Sequence, residues 1–208
     1  MNEKGLLIVF SGPSGVGKGT VLRQYLQSHP NTVFSVSATT RSPREGEIHG
    51  QHYYFLSREE FETMAANGGL LEYAEFAGNF YGTPRDAVEQ RLKEGVDVVL
   101  EIEVQGAMQV KKQCAEALLV FVMPPSFEEL RRRLSGRGTE DEATVCRRLS
   151  NAAREMEAAK QYDYIVVNQT VEQAVDQLEQ IVGAAKHTAA YFNEFIDEVE
   201  KDAKTCCK

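Results

Sequence analysis

The sequence is poor in cysteine, in long apolar runs and in positive charge, and each shortage excludes a class of protein. It has four cysteines without the paired spacing of metal ligands, so they are expected to be free thiols of a cytoplasmic protein. The first apolar run, residues 6–10, is too short for the core of a signal peptide or for a membrane span. No later apolar run is long enough to cross a lipid bilayer. Internal repeats and low-complexity tracts are also lacking.

The charge balance argues against a nucleic-acid or lipid-surface partner. Acidic residues outnumber basic ones by 31 to 23, and the net charge is −8. Phosphates of nucleic acids or anionic lipids would be repelled at long range. A local basic pocket can still hold a small polyanion.

The 208 residues suffice for one sizeable core, and their pattern predicts an α/β fold with a mainly parallel sheet. Short β-rich runs alternate with helical periodicity. We expect buried strands at residues 6–10, 96–102, 118–122 and 164–167, and a last core helix over residues 170–186. Thr83 and Pro84 have the spacing of an N-cap and a first helical residue.

Two segments break this alternation. Residues 37–82 are rich in Tyr, Phe, Thr and Gly and predict a small mixed-β insertion with one helix that begins at Ser57. Residues 136–157 are flanked by glycine, carry arginines and resemble a mobile cover. After residue 186 a helical tail with an apolar face is expected. It could dock on the core or mediate self-association, and both alternatives stay open.

A glycine-rich turn between the first strand and the first helix predicts a phosphate cradle. Its residues are Gly12, Pro13, Ser14, Gly15, Val16, Gly17 and Lys18. Glycines let successive N–H groups point at an anion, and the helix N-terminus adds positive potential. Lys18 would reach the β- and γ-phosphates. The usual pattern has Ser or Thr next, whereas this chain has Gly19 and then Thr20, so the hydroxyl for Mg²⁺ is displaced by one residue.

Two carboxylates lie at the end of the strand predicted at residues 96–102, one inside it and one just after it. Alternation along a strand would point Glu101 and Glu103 to one side, at the edge where open α/β sheets bind ligands. They are candidates to hold Mg²⁺ directly or through water.

Arginines form two clusters that suit phosphoryl transfer, where negative charge spreads over a loose transition state. Arg41 and Arg44 lie on a loop constrained by proline and glycine and can grip one phosphate monoester. Arg133, Arg137 and Arg148 form the second cluster, positioned to reach the phosphates of ATP.

The insertion also carries candidates for reading the acceptor. Guanine presents two adjacent N–H donors, which the carboxylate of Glu72 can accept in parallel, whereas adenine lacks this pair. Tyr53 and Tyr81 could bind the acceptor phosphate through their hydroxyls, or they could form the core of the insertion.

Taken together, these motifs resemble guanylate kinase. The matching stretches are SGPSGVGKGT (11–20), SATTRSPR (37–44), GQHYYF (50–55), YGT (81–83), EIEVQG (101–106) and RGTE (137–140). They occur in the family's order over about residues 5–185. The phosphate loop alone would indicate only phosphate binding, but the set is highly specific.

The resemblance implies an ATP- and Mg²⁺-dependent kinase acting on GMP, and on dGMP as well, in purine nucleotide metabolism. It implies a P-loop core (5–36, 84–135 and 158–185), a GMP-binding insertion (37–83) and a lid (136–157), followed by the tail (186–208). ATP would contact residues 12–20 with Arg133, Arg137, Arg148 and Asn168. GMP would contact Ser37, Arg41, Arg44, Tyr53, Tyr81, Glu72, Thr83 and Glu103.

Two departures from the family pattern and two alternative functions bear on this interpretation. The family often has aspartate at the positions of Glu101 and Glu103, and an acidic pair where this chain has Gln169 and Thr170. A catalytically inactive binding module would keep the Arg41 and Arg44 pocket but lose Lys18 and the arginines of the cover. A kinase that acts on another nucleoside monophosphate would have no need for the Glu72 carboxylate, which suits the two donors of guanine.

Overall fold

The computed structural model describes residues 4–135 and 142–206 and contains two sheets. The first is wholly parallel, in the order β2-β7-β1-β8-β9. Its strands are β1 (Leu7–Ser11), β2 (Thr32–Phe34), β7 (Asp97–Glu101), β8 (Leu118–Met123) and β9 (Tyr164–Val167). The predicted α/β fold is confirmed.

The second sheet is smaller and mixed, in the order β4-β3-β6-β5. Its strands are β3 (Ala38–Thr39), β4 (Tyr54–Phe55), β5 (Leu70–Phe76) and β6 (Asn79–Pro84). Helix α2 (Arg58–Ala66) accompanies it and begins with a complete capping box, in which Ser57 and Glu60 each bond the other's backbone N–H. Phe61 on α2 stacks on Phe80 and closes this sheet's own small core.

Helices cover both faces of the parallel sheet. They are α1 (Lys18–Ser28), α3 (Arg85–Lys93), α4 (Val104–Gln113), α5 (Phe127–Ser135), α6 (Glu142–Glu157) and α7 (Val171–Ala185), with a 3₁₀ turn at Ala158–Gln161. Alternation along β1 sends Ile8 and Phe10 to the face under α1 and α7, and Leu7 and Val9 to the opposite face under α3 and α4. Helices therefore pack on both faces of β1, the strand that precedes the glycine-rich turn.

Three expectations about elements are corrected. Strand β9 is not a buried strand: it lies at the sheet edge, and of its residues only Val166 is buried. Helix α3 begins at Arg85 with Pro84 in the N-cap position, because β6 runs on through Pro84 and the Thr83 hydroxyl is engaged elsewhere. The predicted strand at residues 96–102 ends at Glu101.

The tail forms helix α8 (Asn193–Cys206), in which no described residue is buried. Its apolar residues Phe195, Ile196 and Val199 are exposed rather than docked on the core. No helix among the described residues is long and apolar enough to cross a bilayer.

Candidate active site

The phosphate loop lies between β1 and α1 with the geometry that its sequence predicts. Gly15 and Gly17 have φ angles of 85° and 97°, the left-handed region that favours glycine. A Cβ atom on Gly15 would stand 2.5 Å from Cδ2 of Leu134 on α5. The loop therefore needs glycine at this position both for its backbone turn and for the approach of α5.

Lys18 reaches back over the loop. Its Nζ donates to the carbonyl of Gly12 at 2.5 Å and to that of Pro13 at 3.4 Å. Burial lowers the pKa of the Lys18 ammonium, and the negative charges of Glu101, Glu155 and Glu103 act in the opposite direction. The Lys18 ammonium therefore lies against the loop, with three carboxylates near enough for their charges to affect its pKa.

Two residues beneath the loop fix its backbone. The side-chain amide of Asn168 donates to the carbonyl of Val16 at 2.7 Å, and Asn168 is itself buried. Arg133 donates to the same carbonyl at 3.3 Å and to the carbonyl of Asn168 at 3.0 Å, while Glu129 holds it from α5. Asn168, which the resemblance places in contact with ATP, bonds the backbone of the phosphate loop in this structure.

Helix α6 brings Arg148 onto the phosphate loop. Nη2 of Arg148 donates to the Ser14 hydroxyl at 2.9 Å, across 134 residues of sequence. Arg137, the other arginine predicted in this cover, lies outside the described residues, as do Gly136, Gly138 and Thr139.

The two candidate Mg²⁺ ligands do not share one strand face. Glu101 is the last residue of β7, while Glu103 is the N-cap residue of α4, so strand alternation does not relate them. The negative charges of both glutamates nevertheless raise the pKa of Lys18, against the larger lowering effect of burial. A Cβ on Gly19 would lie 3.6 Å from both carboxylate oxygens of Glu101, so the usual hydroxyl position faces this carboxylate. The Thr20 hydroxyl accepts from Arg23 at 3.4 Å.

In the second sheet Arg41 is held by a partner that the sequence did not reveal. Its Nη2 donates to Glu47 at 2.8 Å, and its guanidinium lies 5.5 Å from the Tyr53 ring centroid. Hydrogen bonds from Arg41 and from the Arg44 backbone lower the pKa of Glu47 to about 2. The Arg41–Glu47 pair therefore stays ionised throughout the neutral range.

The remaining acceptor-side candidates lie around Arg41. The rings of Tyr53 and Tyr81 meet edge to face at 6.2 Å. The hydrogen bond that Arg41 donates to Glu47 is the largest cause that raises the pKa of Arg41, burial lowers it, and a hydrogen bond donated to the Tyr81 hydroxyl raises it further. Ser37 precedes β3 and its carbonyl accepts from the Tyr54 backbone at 2.9 Å. The exposed Arg44 side chain lies on the same loop as Arg41. One patch of the second sheet thus gathers cationic and hydroxyl groups.

Glu72 is a buried carboxylate, with 7% of its surface exposed. Its Oε1 accepts a 2.6 Å hydrogen bond from the Thr83 hydroxyl on the neighbouring strand. A Cβ on Gly106 would stand 2.8 Å from Oε2, so glycine in the first turn of α4 leaves room for the carboxylate. Burial raises the pKa of Glu72, and hydrogen bonds from Thr83 oppose that rise.

Sequence reasoning missed three supports of this site: Glu47, Glu155 and Gln109. Gln109 on α4 exchanges two hydrogen bonds with the backbone of Tyr73, at 3.1 and 3.2 Å. Glu47 and Gln109 lie in no recognisable motif. Glu155 had a signal, because it follows Arg148 by seven residues on the same face of α6.

Comparisons with known proteins agree with this geometry. A family model described as Guanylate kinase matches residues 4–185. The guanylate kinase of Desulfitobacterium hafniense is 56% identical over 182 residues, covering 88% of this chain and 91% of that protein. The guanylate kinase of Clostridioides difficile is 46% identical over 200 residues, covering 96% and 98%.

A solved structure gives the same result. The crystal structure of guanylate kinase from Anaplasma phagocytophilum has a TM-score of 0.68 and 39% sequence identity, covering 90% of this chain and 89% of that one. The sequence similarity and the structural similarity agree with the geometry of the glycine-rich loop and of the buried carboxylate. The chain belongs to the guanylate kinase family.

Proposed function

We propose that this protein transfers the γ-phosphoryl group of ATP to GMP, giving ADP and GDP. The observation that carries the proposal is the buried Glu72 carboxylate, bonded by Thr83 and seated against the helix that follows Glu101 and Glu103. A buried acceptor pair suits guanine's N1–H and exocyclic amine, and it disfavours a base without two adjacent donors. The 2′-hydroxyl is not part of this recognition, and dGMP is proposed as a second acceptor.

On the donor side, residues 12–20 would cradle the phosphates of ATP. Lys18 and Arg148 bond residues of the loop and are proposed to contact the phosphates, and Arg137 joins them in the proposal on family resemblance. Arg133 and Asn168 would act by holding the loop's backbone. The loop's N–H groups and these cations stabilise charge on the transferring phosphoryl group.

On the acceptor side, the patch of the second sheet would hold the phosphate of GMP. Its residues are Ser37, Arg41, Arg44, Tyr53 and Tyr81, with Glu47 keeping Arg41 in place. Glu72, Thr83 and Glu103 would face the base. Residues 37–83 are therefore proposed as the GMP-binding unit and residues 136–157 as the lid over the donor.

Mg²⁺ fits the acidic groups beside the loop. Glu101 faces Gly19, where a hydroxyl ligand is usual. Glu101 and Glu103 both lie near enough to Lys18 for their charges to raise its pKa. No cluster of three His, Cys, Asp or Glu ligands exists among the described residues. Mg²⁺ keeps several waters and binds through one or two carboxylates plus phosphates, so two glutamates suffice. The ion would neutralise charge on the β- and γ-phosphates.

The reaction itself needs positioning more than proton transfer. A phosphate oxygen of GMP attacks the γ-phosphorus in line, a new O–P bond forms, and the bond to the β–γ bridging oxygen breaks with ADP leaving. The acceptor phosphate is already ionised at neutral pH, so no general base is required. Water must be excluded, because water at the same position would hydrolyse ATP.

The wider setting is proposed from the same argument. The substrates are small nucleotides of purine metabolism, and the cytoplasm is the compartment that supplies them. The acidic net charge disfavours nucleic acid as a partner. Self-association of the chain stays a prediction, to be measured by sedimentation velocity.

A coupled assay of ADP release tests the proposal. MgATP is supplied with GMP, dGMP, AMP, CMP or UMP in turn, and Lys18→Ala is measured beside the parent. We expect turnover with GMP and dGMP, reduced about a hundredfold or more in Lys18→Ala. Turnover on another monophosphate would refute the guanine assignment. Folded protein that binds GMP without turnover would instead indicate a binding module.

A further inference from the structure

Helix α6 carries two charged residues on the side that faces the phosphate loop. Val145 and Ala152 are its buried apolar residues, and Leu149 and Met156 pack with them against α5. Arg148 and Glu155 each follow one of the buried residues by three positions. They are seven residues apart and so lie on one face of the helix, two turns from each other.

Both charged residues converge on Ser14. Arg148 donates to the Ser14 hydroxyl at 2.9 Å. Burial raises the pKa of the Glu155 carboxyl, while a hydrogen bond from the Ser14 backbone amide and the charge of Lys18 act in the opposite direction, and the charge of Glu155 in turn raises the pKa of Lys18. One helix therefore places a cation and an anion on the same loop residue.

The Glu155 carboxylate is incompletely bonded there. Its Oε2 atom is buried and is one of two such side-chain oxygens without a hydrogen-bond partner in the part of the chain that the structure describes. The other is the hydroxyl of Tyr162, whose pKa is raised by burial and also by the charge of Glu155. Buried polar atoms in native proteins are rarely left unpaired, so this carboxylate oxygen requires a physical explanation.

We propose that the Glu155 carboxylate competes with the phosphates of ATP for the phosphate loop and thereby weakens the binding of ATP. The inference rests on the proposed donor function of the loop. The Ser14 amide and the Lys18 ammonium are groups that a phosphate needs, and a carboxylate facing both competes with it. Binding of ATP displaces the Glu155 carboxylate from the loop, while Arg148 on the same helix can turn to the incoming phosphate.

This arrangement makes Glu155 a residue that tunes affinity, distinct from the cations that promote transfer. Because two anions cannot share one cradle without repulsion, occupancy by phosphate is coupled to the position of α6. Neutralising Glu155 removes the competitor and leaves Arg148 in place.

Isothermal titration of the whole chain tests the inference, with Glu155→Gln compared with the parent and with Glu157→Gln. Glu157 is exposed on the same helix and provides a matched control. We expect Glu155→Gln to bind ATP roughly tenfold more tightly, the order expected when a like charge leaves a partly buried anion site. Its affinity for adenosine, which has no phosphate, should equal that of the parent, and Glu157→Gln should match the parent for both ligands.

The other outcomes separate the two proposals. Equal or weaker ATP binding by Glu155→Gln, with adenosine binding retained, overturns the role of Glu155 and leaves the donor function standing. A parent that binds no ATP refutes the donor function and this inference together. Should Glu155→Gln fail to fold, Glu155→Asp keeps the charge but withdraws it by one methylene, and it should tighten ATP binding by a smaller factor.

Discussion

At the scale of single residues, the buried carboxylate of Glu72 bears most directly on the proposed choice of acceptor. Glu72 is buried with Thr83 as its hydrogen-bond donor, and burial raises its pKa. A buried carboxylate costs stability unless its hydrogen bonds are complete. We infer that this cost is retained because guanine's two donors would complete them.

Glu72→Gln should separate stability from function. The amide keeps the size of the side chain and can still accept from Thr83, but it presents an N–H₂ group where guanine needs an acceptor. We expect kcat/KM for GMP to fall about a hundredfold, the scale of a lost hydrogen bond to a charged group plus an unpaired donor. Coupled ADP-release kinetics measure it, with Glu75→Gln, an exposed neighbour on β5, as the control.

The same substitution should alter the dependence of stability on pH. A carboxyl whose pKa is raised in the folded state contributes stability below its unfolded value of 4.5, and this contribution is lost as pH rises through the folded pKa. Glu72→Gln should therefore unfold at a higher urea concentration than the parent near neutral pH, and the gain should vanish as pH falls towards 4.5. A gain that is constant with pH would contradict the assignment.

The phosphate-loop residues could be predicted from sequence because their roles are local: glycines at fixed offsets, a strand before and a helix after. The part played by Glu47 and the contact that Asn168 makes with the loop could not. Glu47 acts on Arg41 within an irregular loop, and Asn168 reaches Val16 across 152 residues, a contact that only the fold creates.

At the scale of elements, the edge of the second sheet is closed by side chains of α4. Strand β5 lies at the edge of this sheet. Gln109 bonds both polar backbone groups of Tyr73, and Gln113 donates to the carbonyl of Leu71 at 2.9 Å. These amides pair with β5 as a further strand would, and they fix the strand that carries Glu72 to the helix that carries Gly106.

Gln109→Ala should loosen this attachment. Loss of two hydrogen bonds at a partly exposed edge is expected to lower the free energy of unfolding by about 1–2 kcal/mol. Because β5 positions Glu72, KM for GMP should rise severalfold while KM for ATP stays constant. Urea denaturation and steady-state kinetics provide both values. Lys112→Ala, at an exposed position of the same helix, should change neither, and equal rises in both KM values would refute the positioning role.

Element types were largely predictable, whereas their contacts were not. The capping box of α2 and the strands of the parallel sheet follow from spacing and periodicity. The end of β7 at Glu101 did not, because an apolar run continues through Ile102 while the backbone already turns towards α4. The start of α3 shifted for a similar reason: Thr83 bonds Glu72 instead of capping a helix.

At the scale of the whole molecule, the C-terminal tail lies outside the segment that matches the family model. The family model ends at residue 185, and α8 begins at Asn193 with its apolar side chains exposed. Tyr191 donates to the carbonyl of Lys4 at 2.8 Å and so links the start of the tail to the N-terminal segment.

A chain that ends at Thr188 should therefore keep its activity. We expect kcat for GMP within about twofold of the full chain, and a loss of about 1 kcal/mol in the free energy of unfolding from the missing Tyr191 bond. Tyr191→Phe in the full chain isolates that bond and should reproduce the loss of stability. A larger fall in kcat would mean that the tail takes part in the site.

Direct transfer between two nucleotides, held by the phosphate loop and the second sheet, can be followed with ATP radiolabelled at its γ-phosphorus. The labelled ATP is mixed with GMP, Mg²⁺ and the full chain, and the products are separated by chromatography. We expect label in the β-phosphate of GDP, formed in equal amount with ADP. Label recovered only as inorganic phosphate, or no consumption of ATP by folded protein, would contradict direct transfer.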